Sequence, residues 1–144
     1  MEKSLKSLID KYELKSIPAA QYSPLVLAYI GDSVFDVIVK SILVSRSNAP
    51  VNVLNKRASF LVRAVAQSKM VDIIMPLLTE KEANIYRRGH NSKPGTTAKN
   101  ASVADYMRAT GFEAVIGYLY LNDEDERLME LASAAIEGIE NGKQ

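Results

Sequence analysis

Two carboxylates stand in stretches where almost every neighbour is apolar, aromatic or small. Asp32 lies within LVLAYIGDSVFDVIVK, and Glu113 lies within TGFEAVIGYLYL. An unpaired charge in apolar surroundings is unfavourable, so each acid needs a partner. Oxygen-only ligation suits Mg²⁺ or Mn²⁺, and Mg²⁺ typically takes one or two carboxylates together with waters and substrate phosphates. The pair therefore indicates a site for a hard divalent cation if the fold brings the two residues together.

Each acid taken alone also fits a plainer interpretation, in which it caps a helix, pairs with a nearby Arg or Lys, or lines a wet crevice. The shared setting favours the metal interpretation, because Gly31 lies beside Asp32, and Gly111 and Gly117 flank Glu113. Glycine inside a helix costs about 1 kcal/mol relative to alanine. We therefore expect a second backbone to approach closely at these glycines.

A basic stretch without any acid separates Glu82 from Asp105 and leads into the segment that carries Glu113. Its cations and its polar imidazole and amide groups are Arg87, Arg88, Lys93, Lys99, His90, Asn91 and Asn100. Basic and amide donors can hold phosphates in register without reading sequence, although runs of charge are usually solvated loops. If the stretch folds beside the two acids, the layout is that of metal-assisted phosphodiester hydrolysis. We assign no role to the imidazole and amide groups.

The elements that would position these groups have helical patterns almost throughout. Ser23 followed by Pro24 predicts a helix start, and the apolar stretch after it predicts a core helix to about Ser45. A second helix is expected from about Asn52, and a further helical piece is expected to reach Met75.

Three further helix starts carry capping signals, and these are Thr79 with Glu82, Ser102 with Asp105, and Asn122 with Asp123. The helices that follow are expected to end near Gly89, near Leu121 and, for the acidic last helix, near residue 140. No strand-like alternation is longer than a few residues. The pattern predicts an all-α fold of about six or seven helices.

Length and composition bound the class of protein. The 144 residues are 47% hydrophobic and 24% charged, which fits a single globular domain over 1–144. The absence of cysteine excludes disulfide scaffolds and thiolate sites, and a single histidine argues against histidine-based triads or multi-histidine metal sites. The net charge of +1 conceals a basic portion, 1–121, and an acidic tail, 122–144.

The chain has no segment with the roughly 18 unbroken apolar residues of a membrane span. Its first residues, MEKSLKSLIDKYELK, are too charged for a signal peptide. We therefore expect a cytoplasmic protein that has no membrane partner.

Three stretches together resemble a known family. LAYIGDSVFDVIV (27–39) resembles the signature helix of the ribonuclease III catalytic domain, and TGFEAVIGYLYL (110–121) resembles that family's later, glutamate-bearing helix. RRGHNSKPGTTAKNASVADY (87–106) resembles the loop that links them. The similarity covers about 24–121 and is closest to the Mini-III subgroup, which has no double-stranded RNA-binding domain. Since an acidic helix is expected over 123–140, we expect no such domain here.

The resemblance implies an all-α fold like the ribonuclease III endonuclease domain, with a homodimer as the active form. It also implies Mg²⁺-dependent cleavage of double-stranded RNA, with Mn²⁺ a plausible substitute, leaving 5′-phosphate and 3′-hydroxyl ends. For the Mini-III subgroup the implied substrate is the 23S ribosomal RNA precursor, and a ribosomal protein could help to present it. The apolar side chains Tyr29, Ile30, Val34 and Phe35 are candidates for the dimer interface, although a monomer core would explain them equally well.

The site residues carry over only in part. Asp32 matches the aspartate of the signature helix, and Glu113 matches the glutamate of the later helix, so both are expected to be catalytic and to hold metal. The family's other two carboxylates fall on Ala28 and Thr110, which favours one firmly held Mg²⁺ over two. Asp36, one helical turn after Asp32, is either an outer-shell acid or a surface residue. The four cations Arg87, Arg88, Lys93 and Lys99 are expected to grip RNA phosphates.

Two other functions compete with the nuclease. One is a ribonuclease III-like module that binds RNA or ribosomal particles with weak or no catalysis, which would be expected to lose one of the two acids. The other is a helical protein-interaction module that uses the acidic tail for docking. It predicts no effect of divalent cations and no affinity for duplex RNA.

Overall fold

The computed structural model describes residues 5, 7–12, 17–92 and 102–142. Within these residues the chain forms seven α-helices, two short 3₁₀ turns and no strand, which confirms the predicted all-α fold. The helices are α1 (Ser7–Lys11), α2 (Pro24–Arg46), α3 (Val51–Val62), α4 (Ala64–Ile74), α5 (Glu80–His90), α6 (Val103–Leu121) and α7 (Asp125–Asn141). None of the described helices combines the length and the hydropathy needed to cross a membrane.

Local capping chemistry starts α2 and α5 where the sequence predicts. The Ser23 hydroxyl accepts a hydrogen bond from the Val26 amide (3.3 Å), and Pro24 takes the first helical position. At α5 the capping box is complete. The Glu82 amide donates to the Thr79 hydroxyl (3.1 Å), and the Thr79 amide donates to the Glu82 carboxylate (2.9 Å). The helix then continues one residue past Gly89, to His90.

The predicted cap of the last helix is wrong by two residues. The first helical residue of α7 is Asp125, and Glu124 rather than Asn122 or Asp123 occupies the N-cap position. Asp123 has a φ of 57°, so the chain turns through the left-handed region before α7 begins. The Asn122 amide group donates to the Glu124 carboxylate (2.8 Å), and this bond closes the turn between α6 and α7.

Helix α6 lies at the centre of the domain and packs against α2, α4, α5 and α7. An edge-to-face contact joins Phe35 of α2 to Phe112 of α6, with ring centroids 5.0 Å apart, and both rings are fully buried. Phe35 is therefore a core residue and not a surface candidate for an interface, whereas Tyr29 is 80% exposed. The apolar side chains proposed for the dimer interface are thus divided between the core and the surface of α2.

The glycines of α2 and α6 meet as the sequence predicts. A methyl group on Gly31 would lie 1.8 Å from the backbone oxygen of Glu113, and one on Gly117 would lie 1.9 Å from the backbone oxygen of Leu27. The backbones of the two helices are thus in direct contact, which a side chain at either position would prevent. This contact brings the helix that carries Asp32 against the helix that carries Glu113.

A buried ion pair ties α7 to α5. The Glu82 carboxylate is almost fully buried and accepts hydrogen bonds from Nε (2.9 Å) and Nη2 (2.8 Å) of Arg127. Arg127 also donates to the backbone oxygen of Leu77 (2.6 Å). Burial alone would raise the pKa of Glu82, but the bonds from Arg127 and Thr79 outweigh it and lower that pKa.

Candidate active site

Asp32 and Glu113 line one cleft between α2 and α6. The cleft has a volume of about 190 Å³, and its lining residues are Leu25, Ala28, Tyr29, Asp32, Tyr106, Thr110 and Glu113. The two carboxyl groups lie within hydrogen-bonding reach of each other. The structure therefore brings together the two acids that lie 81 positions apart in the chain.

The two acids occupy different environments. Asp32 is exposed to solvent, so the expectation of an acid enclosed by apolar neighbours is wrong for this residue. Glu113 is half-buried, and burial, repulsion from Asp32 and a hydrogen bond to Asp32 together raise the pKa of Glu113 to about 9. The pair retains a proton at neutral pH unless another positive charge enters the cleft.

Gln67 is a site residue that the sequence analysis missed. It lies on α4, is 1% exposed, and its amide hydrogen-bonds the Glu113 carboxyl group, which partly opposes the rise in pKa of Glu113. One signal was present in the sequence, because Gln67 follows Ala66 directly and lies within about one helical turn of Met70 and Val71, all apolar residues. Which other helix that side would contact could not be deduced from the pattern.

The positions of the two missing family carboxylates also line the cleft. Ala28 offers no ligand atom, and the Thr110 hydroxyl donates to the backbone oxygen of Tyr106 (2.9 Å). Among the described residues, no group of three or more His, Cys, Asp or Glu side chains is arranged to hold a metal ion. The groups of the cleft best suited to bind a metal ion are therefore the two carboxylates. This set suits Mg²⁺ with water and phosphate as its remaining ligands.

Asp36 belongs to the surface of α2. Its carboxylate forms an ion pair with the Lys40 ammonium group one turn further on (3.0 Å), and it is not among the side chains that line the cleft. This geometry favours the surface interpretation of Asp36 over an outer-shell role.

The predicted phosphate-binding cations fall into three groups. Arg87 is exposed near the end of α5, whereas Arg88 is half-buried and donates to the backbone oxygen of Ala20 (3.2 Å). Arg88 thus anchors the segment before α2. The expectations for Lys93, Lys99 and Asn100 lie outside the described residues. His90 hydrogen-bonds the Asn91 side chain (2.9 Å) at the end of α5, which gives both a local partner.

The class of protein follows from this architecture together with its sequence profile. The profile of the ribonuclease III domain matches residues 25–124, a span that includes α2, α6 and both acids of the cleft. The chain therefore belongs to the ribonuclease III family and is an endoribonuclease. The family acts on double-stranded RNA and is generally dependent on divalent metal ions.

Comparison with similar proteins identifies the group within the ribonuclease III family to which the chain belongs. It is 46% identical over 125 residues to Mini-ribonuclease 3 of Clostridium tetani, covering 86% of this chain and 83% of that protein. It is 43% identical to Mini-ribonuclease 3 of a Thermoanaerobacter species, and the match covers 97% of this chain and 99% of that protein. The crystal structure of a Fusobacterium nucleatum protein superposes on this chain with a TM-score of 0.77 at 29% sequence identity. The match covers 85% of this chain and 98% of that protein. Within the ribonuclease III family, the chain belongs to the Mini-ribonuclease 3 group, as its motifs predict.

Proposed function

We propose that this chain cleaves double-stranded RNA at the cleft between α2 and α6, in a Mg²⁺-dependent reaction for which Mn²⁺ can substitute. In this proposal Asp32 and Glu113 are the catalytic, metal-holding residues, and residues 1–144 act as one catalytic domain. The observation that carries the proposal is the convergence of the two carboxyl groups in one cleft. The proposed products have 5′-phosphate and 3′-hydroxyl ends.

The donor set supports a divalent cation. Two carboxylates forced together repel each other, and a dication can neutralise both where a proton neutralises only one. When bound, Mg²⁺ would supply Lewis acidity toward the attacking water and the scissile phosphate. Because Glu113 releases its proton when a cation takes its place, we expect metal affinity to increase with pH.

Other roles in the proposed reaction, in RNA binding and in fixing the site, fall to individual residues of the chain. Asp32, at the exposed side of the pair, meets solvent and the incoming RNA strand, whereas Glu113 is fixed from the protein interior. The exposed guanidinium of Arg87 can contact a flanking phosphate, and we propose the same role for Lys93 and Lys99. Arg88 contributes mainly by anchoring the chain before α2. Recognition would rest on backbone shape, because the deep, narrow major groove of A-form RNA does not admit side chains.

We further propose a homodimer that presents two clefts to one duplex. Exposed apolar side chains on α2 support this, since Val26, Tyr29, Val37 and Val44 are 46%, 80%, 55% and 59% exposed. Tyr29 also lines the cleft, so a second copy on this face would lie beside the catalytic acids. Sedimentation equilibrium of Val37→Glu would test the interface, because a buried, unpaired charge there should dissociate the dimer.

The proposed natural substrate is the precursor of 23S ribosomal RNA, and we propose that a ribosomal protein helps to present it. This rests on the resemblance of the two acid-bearing helices to the Mini-III subgroup and on the membership in the Mini-ribonuclease 3 group. Incubation with precursor RNA, alone and with the ribosomal proteins that bind near its ends, would test it. Uniform cutting of unrelated duplexes, with no preference for the precursor, would contradict this part of the proposal.

The decisive experiment is cleavage of long double-stranded RNA with Mg²⁺ and then with EDTA. We expect EDTA, Asp32→Asn and Glu113→Gln each to abolish cleavage. Glu137→Gln makes the same chemical change on the exposed surface of α7 and should retain wild-type activity. Asp36→Asn should retain activity if Asp36 is only the partner of Lys40. Cleavage that persists in EDTA or in Glu113→Gln would refute the mechanism.

The same assay distinguishes the enzyme from a binding module. A ribonuclease III-like module without catalysis would retain duplex RNA in a gel-shift experiment and leave it intact with Mg²⁺. The retention of both acids, and their meeting in one cleft, favours the enzyme.

A further inference from the structure

Gln67 is an amide buried in the packing between α4 and α6. It is 1% exposed, and within the described chain no buried side-chain nitrogen or oxygen lacks a hydrogen-bond partner. Its partner is the Glu113 carboxyl group. Burying an amide is unfavourable unless it is hydrogen-bonded, and an apolar side chain of similar size would fill the same space without that requirement. The amide is therefore matched to the carboxyl group that it meets.

The residue next to Gln67, Ser68, is hydrogen-bonded to α6, the helix that carries Glu113. Arg108 of α6 donates to the Ser68 hydroxyl (2.9 Å) and to the Ser68 backbone oxygen (2.8 Å). Arg108 also forms an ion pair with Asp72 one turn further along α4 (2.6 Å). Three bonds from one guanidinium thus fasten α4 to α6 directly beside Gln67. The helix that carries Gln67 is thus bonded to the helix that carries Glu113 at the residue next to Gln67.

From this arrangement we infer that Gln67 is a positioning residue that holds the Glu113 carboxylate in the orientation in which it binds the divalent cation. A carboxylate is only an acceptor when ionised, so the Gln67 amide nitrogen is the donor in the charged state of the site. A fixed donor restricts rotation of the carboxylate and stabilises its negative charge. Partners that hold a metal ligand in this way typically change metal affinity or activity 10- to 100-fold when removed. The inference rests on the proposed function, because it requires that Glu113 bind a metal ion.

The test measures Mn²⁺ affinity without RNA, by isothermal titration calorimetry, and the metal dependence of cleavage. Gln67→Met keeps the volume and removes the donor, and Gln67→Asn keeps an amide that is one methylene too short. We expect the Mn²⁺ dissociation constant of both variants to rise about 10- to 100-fold. The metal concentration for half-maximal cleavage should rise by the same factor, while the rate at saturating metal recovers toward that of the wild type. Ile74→Val trims another buried side chain of α4, two turns from Gln67, and should leave both constants unchanged.

Each outcome bears on the inference separately from the proposed function. Folded Gln67 variants with wild-type Mn²⁺ affinity would overturn the inference, whereas a wild-type protein that binds no Mn²⁺ would overturn the proposed function. A loss of rate that saturating metal does not restore, with unchanged Mn²⁺ affinity, would assign Gln67 a merely structural role and also overturn the inference.

A measurement on the wild-type protein keeps the inference testable if the variants do not fold. The side-chain NH₂ resonances of Gln67 should shift on Mg²⁺ titration and remain protected from exchange with solvent. Resonances that do not respond to saturating Mg²⁺ would overturn the inference.

Discussion

Replacing Gly31 by alanine tests whether the backbone contact between α2 and α6 builds the site. The new methyl carbon would lie 1.8 Å from the backbone oxygen of Glu113 and 2.8 Å from the backbone nitrogen of Gly117. Such contacts are not seen below 3.0 Å, so the helices must separate by about 1.2 Å at this point. Backbone atoms cannot rotate aside as a side chain can, and the displaced residue is one of the two acids of the cleft.

Two opposing effects set the change in stability. Overpacking costs about 1–3 kcal/mol, and a backbone clash belongs at or above the upper end of that range. Alanine returns about 1 kcal/mol through its higher helix propensity. We therefore expect a net loss of about 2–3 kcal/mol, or roughly 6–12 °C in Tm for a chain of this size. A shift of about 1 Å in a reacting group can lower activity about 100-fold, so cleavage should suffer more than folding.

Thermal denaturation and double-stranded RNA cleavage, at one protein concentration, would measure both effects. Gly138→Ala is the matched control, because the three atoms nearest to its methyl group belong to the side chain of Ile73, the closest being its terminal Cδ1, and none belongs to backbone. That variant should remain within about 1 kcal/mol of the wild type and retain activity. Helix propensity alone predicts that both variants are stabilised. If Gly31→Ala equalled the wild type in Tm and activity, the reasoning about the helix contact would be refuted.

Three further predictions concern charge. The folded-state pKa of Glu113, about 9, exceeds its ordinary value of 4.5, so metal-free stability should fall as pH rises between these values. Glu113→Gln should therefore raise Tm above that of the wild type at pH 8 but not at pH 4. An equal change in Tm at the two pH values would contradict the raised pKa of Glu113. Arg127→Met leaves the buried Glu82 carboxylate unpaired and should cost about 3–5 kcal/mol in denaturant unfolding. Arg87→Ala should reduce the salt slope of RNA binding by about one without changing Tm, whereas Arg88→Ala should lower Tm.

Features that depend on neighbours in sequence were predictable. The capping residues Ser23 and Thr79 act within four positions, so their patterns specify the starts of α2 and α5. The close approach at Gly31 and Gly117 was also predictable, because a glycine in a helix interior has no local advantage. The start of α7 was not, since the positive φ of Asp123 gives the turn a geometry that the sequence pattern does not specify.

Features that depend on how helices meet were not predictable from one sequence. Gln67 becomes part of the site only because α4 rests on α6 with that side inward. The exposure of Asp32 has the same origin, since its helix is apolar on most sides and the sequence does not reveal which side remains uncovered. The two acids could be identified by their apolar surroundings, but the supporting amide and the orientation of each carboxyl group required the packing.

The packing also bears on the proposal that two carboxylates hold a cation in this cleft. At Gly31 the backbone of α2 lies directly against the backbone of Glu113, and the Gln67 amide hydrogen-bonds the Glu113 carboxyl group. Movement of Glu113 away from Asp32 is therefore restricted, and a proton or a cation would relieve the repulsion between the two carboxylates. Because Ala28 and Thr110 add no charge, the acids that line the cleft are Asp32 and Glu113, which favours the proposed single Mg²⁺ over two.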